Sequence, residues 1–191
     1  MIGYFSDVEL VDLGFGSLGE NVRISKTSTL YNRSQIHIGN NVRIDNFCVV
    51  AMSGSSTLRI GNYVQISAYC FMNGLCDLLL EDYVTLAPAV RVFTSSDDYS
   101  GACMTNALVP EPFRRTISGR VTLRKHTIIG TASTILPGVE LGEGTAVGAY
   151  SLVKETSEAF TVIAGVPAVF KKRRSRGLLD EERKLRAIES D

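Results

Sequence analysis

A mainly-β chain wound as a parallel solenoid is what this sequence predicts, and three observations carry the prediction. Aliphatic residues recur every six positions over most of the 191 residues. They fall into groups of three, and extra residues enter only after the third member of a group. The fifth place of the hexapeptide holds small or β-branched side chains, among them Val42, Val64, Val84, Val90, Ser133, Val139 and Ser151. A period of six inside an 18-residue cycle describes a triangular coil with short sides, one corner of which accepts loops. Such a coil cannot bury its apolar face alone, so successive coils must stack.

The elements follow in chain order. Residues 1–17 read as an N-terminal capping segment: Ser6 and Glu9 have capping-box spacing, Phe5 and Leu10 can staple it, and Gly14 is a stop, which predicts a short helix over 6–13. The solenoid spans residues 18–170 in about six coils, with anchors at 18, 24, 30; 38, 44, 50; 60, 66, 72; 80, 86, 92; 123, 129, 135; and 141, 147, 153. One long loop, residues 94–122, interrupts it where other corners add four residues or fewer. A long insertion in a compact domain is usually functional. Residues 171–191 form a basic segment leading into a helix, whose apolar face would comprise Leu178, Leu185 and Ile188. Both helices are expected to cover open ends of the solenoid.

Composition narrows the function. Apolar residues make up 45%, enough for a core, and 20 Lys and Arg balance 20 Asp and Glu, with no basic stripe through the body to suit nucleic acid. The charge is uneven, since residues 171–191 carry +3 and the remainder −3. No apolar run approaches the roughly 18 residues of a membrane span. The opening MIGYFSDVEL also lacks the order of a secretory signal, so the chain reads as cytoplasmic. Cys48, Cys70 and Cys76 fall at the fifth, inward hexapeptide place and read as buried core thiols; a nucleophile would need exposure and a cationic neighbour. The two histidines, His37 and His126, cannot build a three-imidazole metal site within one chain, so no metal is expected. His37 reads as a structural residue in a loop corner.

The closing segment IIGTASTILPGVELGEGTAVGAYSLVKE, followed by IAGVPAVFKK, resembles the hexapeptide-repeat acyltransferases, with LPGV, LGEG, VGAYS and AGVPA in that family's order. The resemblance implies a left-handed parallel β-helix, against the usual crossover hand. It also implies a homotrimer with active sites between subunits and acetyl-CoA, or another acyl-CoA, as co-substrate. In that family a catalytic histidine sits near the start of the long loop in a Thr-x-x-His setting. Counted from Thr94, that place here holds Asp97.

A sugar hydroxyl needs a base of histidine strength to attack a thioester, whereas a neutral amine attacks first and loses its proton afterwards. Asp97 in place of histidine therefore favours N-acylation. The string SSDDYSG also resembles the subgroup that acylates nucleotide-linked amino-deoxysugars for surface polysaccharides. The expected catalytic residue is Asp97, with Asp98 as a supporting or substrate contact and Ser95, Ser96 and Tyr99 as substrate-binding partners. His126, outward in LRKHTI, is the candidate base for the alternative, an O-acetyltransferase of a sugar or small alcohol. A hexapeptide-repeat scaffold without catalysis is the second alternative. The resemblance places CoA against stacked turns at Gly130, Thr131, Gly148 and Ala149, with its phosphates toward Lys154, Lys171, Lys172, Arg173 and Arg174. Small residues there allow close backbone approach.

Overall fold

The computed structural model describes residues 3–189. Its strands form three parallel faces, and the hexapeptide anchors lie in register up each one. On the first face Leu18 pairs with Ile38, then Ile60, Leu80, Leu123 and Leu141 follow in line. The second runs from Ile24 through Ile44, Ile66, Leu86, Ile129 and Val147 to Ile163. The third joins Leu30, Val50, Met72, Val92, Ile135 and Val153. Every repeat anchor except Leu18 is buried. The solenoid of about six stacked coils is thus the observed architecture.

Each coil turns through residues with left-handed backbone. At the corner between the first and second faces these are Asn21, Asn41, Tyr63, Tyr83, His126, Gly144 and Phe160; between the second and third they are Phe47, Tyr69, Ala89, Ala132 and Tyr150. Such a residue, Gly144 aside, costs about 1–2 kcal/mol. Each fully buried aliphatic rung returns roughly 1.5–3 kcal/mol, and a coil carries several, so stacking wins. Polar ladders help at the first corner. The amide of Glu20 donates to Asn40 Oδ1 at 2.8 Å, that of Asn40 to Asn62 Oδ1 at 2.8 Å, and that of Asn62 to Asp82 Oδ1 at 2.7 Å.

The fifth hexapeptide place is inward as expected, with Cys48 and Cys70 buried beside the valines. Cys76 is a correction: it is only partly buried, because it follows the third anchor, Met72, where the corner's extra residues break the register. His37 is another, since it sits mid-strand in Ile36–Ile38 and not in a corner, its Nδ1 3.2 Å from Ser17 Oγ.

The N-terminal helix, Asp7–Asp12, carries the full capping box, and Leu10 is buried. The C-terminal helix, Leu178–Glu189, does not cover an end of the solenoid. It lies along the flank at the first corner, where Tyr63, Tyr83 and His126 form a stack with centroid spacings of 5.1 and 4.8 Å. Glu182 accepts hydrogen bonds from Lys125 and Arg186, and its Oε2 lies 2.7 Å from His126 Nε2. Arg174 adds a clamp, donating to the carbonyls of His126 and Gly144 at 3.0 and 2.9 Å. An aromatic column with a cationic rim matches the helix's acidic face better than a flat coil end does. Leu178 and Leu185 border Tyr83 and His126, while Ile188 stays exposed. The last coil instead ends in an antiparallel hairpin of Thr161–Gly165 and Ala168–Arg173, so Lys171, Lys172 and Arg173 lie on a strand.

Candidate active site

The long insertion leaves the third corner as an arm. Ser95–Asp97 pairs antiparallel with Thr116–Ser118, Asp97 opposite Thr116. Thr94, fully buried, roots the outgoing strand, and the amide of Gly119 on the return strand donates to its carbonyl at 3.0 Å. The tip is irregular and carries exposed apolar side chains, with Tyr99 89% and Leu108 90% accessible, and Phe113 and Met104 also open.

The two adjacent aspartates have different surroundings. Asp97 is half-buried, and among the described residues no hydrogen bond or ion pair engages its carboxylate, so both oxygens remain available. Ser95 and Ser96 flank it, likewise half-buried, and Ser96 Oγ donates to the Asp97 carbonyl at 3.3 Å. Asp98 points the other way and is 5% exposed. Its Oδ1 accepts from the Ser100 amide at 2.8 Å, and its Oδ2 lies 3.9 Å from both Arg115 Nη1 and Cys103 Sγ. Hydrogen bonds from the Ser100 amide and hydroxyl, then the Arg115 charge, hold the Asp98 carboxyl below the ordinary aspartate range despite its burial. The strand ends at Asp97, and Asp98 opens the turn from whose Ser100 amide it accepts, which accounts for the split. Asp98 ties down the arm; Asp97 keeps an uncommitted charge.

The second corner carries the turns expected to meet CoA. A Cβ on Gly130 would sit 2.5 Å from the Ala149 nitrogen, and one on Gly148 would sit 2.8 Å from the Ala164 Cβ. Close approach of the next coil is thus by itself enough to demand glycine. Thr131 receives the Tyr150 amide on its carbonyl at 2.8 Å. The outward column on this corner is uneven: Phe47 and Tyr69 stack at 5.2 Å, Ala89 and Ala132 follow, and exposed Tyr150 closes it. At about 4.8 Å per coil the two alanines open a notch about 10 Å tall.

Among the expected phosphate partners, Lys154, Lys171, Lys172 and Arg173 are exposed. Lys154 lies 3.7 Å from Glu155, and Arg173 pairs with Glu158 at 2.7 Å. Arg174 is bound inward, and burial pushes its pKa down. His126 occupies the first corner, away from both the arm root and the notch, with its ring against Tyr83 and Nε2 against Glu182. Among the described residues no group of three His, Cys, Asp or Glu is placed to hold a metal ion, and no helix is long and apolar enough to cross a membrane.

Gly74 and Cys76, which receive Thr94, and Arg115, which meets Asp98, were not legible as site residues. An isolated glycine after Phe71–Met72–Asn73 was the available signal, since glycine at a strand end marks close backbone approach. Arg115 sits 17 residues beyond Asp98 with no periodicity to connect them.

No protein-family model matches the chain. Over 181 residues it is 42% identical to the dTDP-4-amino-4,6-dideoxy-D-glucose acyltransferase of Escherichia coli, covering 95% of this chain and 94% of that one. It also superposes on AntD, an N-acyltransferase from Bacillus cereus. An aspartate-to-asparagine mutant of AntD bound to dTDP and coenzyme A gives a TM-score of 0.93 at 36% identity, over 99% of this chain and 100% of that one. AntD bound to dTDP and 3-hydroxybutyryl-CoA gives 0.91 at 35% identity, over 100% of both chains. The hexapeptide-repeat acetyltransferase VCA0836 from Vibrio cholerae shares the fold, with a TM-score of 0.59 at 20% identity over 90% and 82% of the two chains.

Proposed function

The chain belongs to the hexapeptide-repeat acyltransferases that N-acylate nucleotide-linked amino-deoxysugars, and from that membership we propose its reaction and the residues that serve it. The donor is an acyl-CoA and the acceptor is the amine of a dTDP-linked 4-amino-4,6-dideoxyglucose or a close analogue, in line with the relatives' substrate and ligands. Acetyl is the simplest acyl group, and the product is destined for a surface polysaccharide. Both co-substrates are cytoplasmic metabolites, which puts the enzyme there. The protein works as a homotrimer, with Tyr99, Leu108 and Phe113 of the arm packing on a neighbour.

The observation that carries the mechanism is the uncommitted carboxylate of Asp97 at the root of the arm. Attack by a neutral amine on the thioester carbonyl places positive charge on nitrogen as the C–N bond forms. A fixed negative charge within hydrogen-bond reach stabilises that charge more than it stabilises the uncharged amine, which lowers the barrier. Collapse of the tetrahedral species breaks the C–S bond, and the departing thiolate takes the surplus proton. Asp97 orients and stabilises, so no histidine is needed. Asp98 supports the arm, Ser95 and Ser96 meet the sugar, and Tyr99 reaches toward the neighbouring subunit.

The second corner suits the donor. Its notch at Ala89 and Ala132, the small turns Gly130–Thr131 and Gly148–Ala149, and the cations Lys154, Lys171, Lys172 and Arg173 match a slender amide chain ending in phosphates. The O-acylating alternative would need His126 as base, and its place at the first corner, packed against Tyr83 and the C-terminal helix and away from the arm root, speaks against that role.

The test is an acceptor panel. Thiol release from acetyl-CoA should follow addition of the 4-amino sugar nucleotide, with an amide product by mass. Release only with the 4-hydroxy analogue would refute N-acylation. Particle mass in solution reads out the trimer.

A further inference from the structure

We infer that Thr94 is a positioning residue for acyl transfer, its buried hydroxyl fixing the direction of the strand that presents Asp97. The inference rests on the reading of Asp97 as the amine-facing carboxylate. Thr94 is fully buried, yet every one of its polar atoms is engaged. Its Oγ1 donates to the Cys76 carbonyl at 2.8 Å and accepts from the Cys76 amide at 3.1 Å. Its own amide donates to the Asn73 carbonyl at 2.9 Å, and its carbonyl accepts from Gly119. The hydroxyl thus spans the corner of the coil below, while the backbone ties that coil to the returning strand.

The coil below is shaped to receive it. Gly74 has φ +155°, and a Cβ there would fall directly on Thr94 Oγ1. The inward rungs just before, Val92 and Met72, are apolar and buried. Packing alone would be served by valine at 94, which has the same shape. What threonine adds is a two-bond lock on the Cys76 peptide at the point where the chain leaves the solenoid.

The lever arm is long enough to matter. Asp97 lies three residue steps along the strand from Thr94, roughly 10 Å. A tilt of about 6° at the root therefore shifts the carboxylate by about 1 Å, and a displacement of that size can cost about 100-fold in rate. Asp98 and Arg115 restrain the far side of Asp97, so its strand is held at both ends.

The experiment compares Thr94→Val, Thr94→Ser and Asp97→Asn, alone and combined, with kcat referred to the fraction of protein that binds CoA. Thr94→Val should lower kcat by roughly 30- to 100-fold with the KM for acyl-CoA unchanged, and Thr94→Ser should remain within about threefold of wild type. In the Asp97→Asn background the valine change should cost less than about threefold, because residues that act through one another are not additive. Thr94→Val with near-normal kcat, equal losses in the serine and valine variants, or full additivity would each overturn the inference. Should the valine variant not bind CoA, Thr94→Ser is set against Thr94→Ala; equal rates there overturn it too. Wild-type turnover by Asp97→Asn would refute the reading of Asp97 itself, which separates the two failures.

Discussion

Replacing Asp97 with asparagine removes one negative charge and almost nothing else. The side chain keeps its shape, and because no described residue pairs with the carboxylate, the change leaves no partner unsatisfied. Folding stability should stay within about 0.5 kcal/mol, as for an ordinary surface substitution. The transition state feels the full change. A unit charge 4 Å from the forming ammonium contributes about 4 kcal/mol at an effective dielectric constant of about 20, equivalent to about a thousandfold in kcat. Loss of one catalytic hydrogen-bond donor elsewhere costs roughly 100- to 1,000-fold, in the same range. The assay is continuous thiol release from acyl-CoA with the amino-sugar nucleotide saturating, alongside calorimetric CoA binding and thermal melting. The expected result is a thousandfold lower kcat with unchanged CoA affinity and melting temperature. A kcat within tenfold of wild type, in protein that binds CoA normally, would mean that Asp97 does not face the developing charge.

Ala132→Phe should extend the Phe47–Tyr69 column into the notch, raise the KM for acyl-CoA tenfold or more and leave the fold intact, since aromatic residues already occupy equivalent rungs; unchanged KM by steady-state kinetics would show that CoA runs elsewhere. Gly130→Ala drives a methyl into the Ala149 backbone and should destabilise the last coils by about 1–3 kcal/mol, read as a lower denaturation midpoint. Burial alone would raise the Glu182 pKa, but hydrogen bonds from Lys125, His126 and Arg186 hold it at about 2. A depressed folded-state value means the helix contact is fully present above the unfolded value of about 4.5 and fades as pH falls toward 2. Hydrogen exchange across Leu178–Glu189 should accelerate over that window, and Glu182→Gln should show the faster exchange already at pH 7. Thiol reagents should label Cys76 and Cys103 in the native protein and spare Cys48 and Cys70; equal labelling of all four would contradict the packing.

The sequence by itself determined the coil, because burial in a stacked solenoid is periodic. Each inward position repeats every six residues, and every anchor from Ile24 to Val153 lies in register with its neighbours above and below. The N-terminal cap was equally legible, since Ser6 and Glu9 interact across three residues of local chain. The place of the long insertion, after the anchor Val92, was also visible, as it depends on position within the repeat, whereas the reading of Asp97 as standing where the resembling family has histidine came from the resemblance.

What only the tertiary structure decided lies where periodicity stops. Cys76 escaped the core because extra residues at the third corner broke its register. The C-terminal helix chose a flank over an open end because Glu182 could meet Lys125 and His126, 57 and 56 residues earlier in the chain. The different surroundings of Asp97 and Asp98 came from the pairing of Ser95–Asp97 with residues 116–118, which brings Arg115 to one carboxylate and leaves its neighbour open. Local chain statistics record propensity and period. Which of two adjacent identical side chains keeps its charge available is set by contacts across the fold, and those exist only once the arm has closed on its root at Thr94.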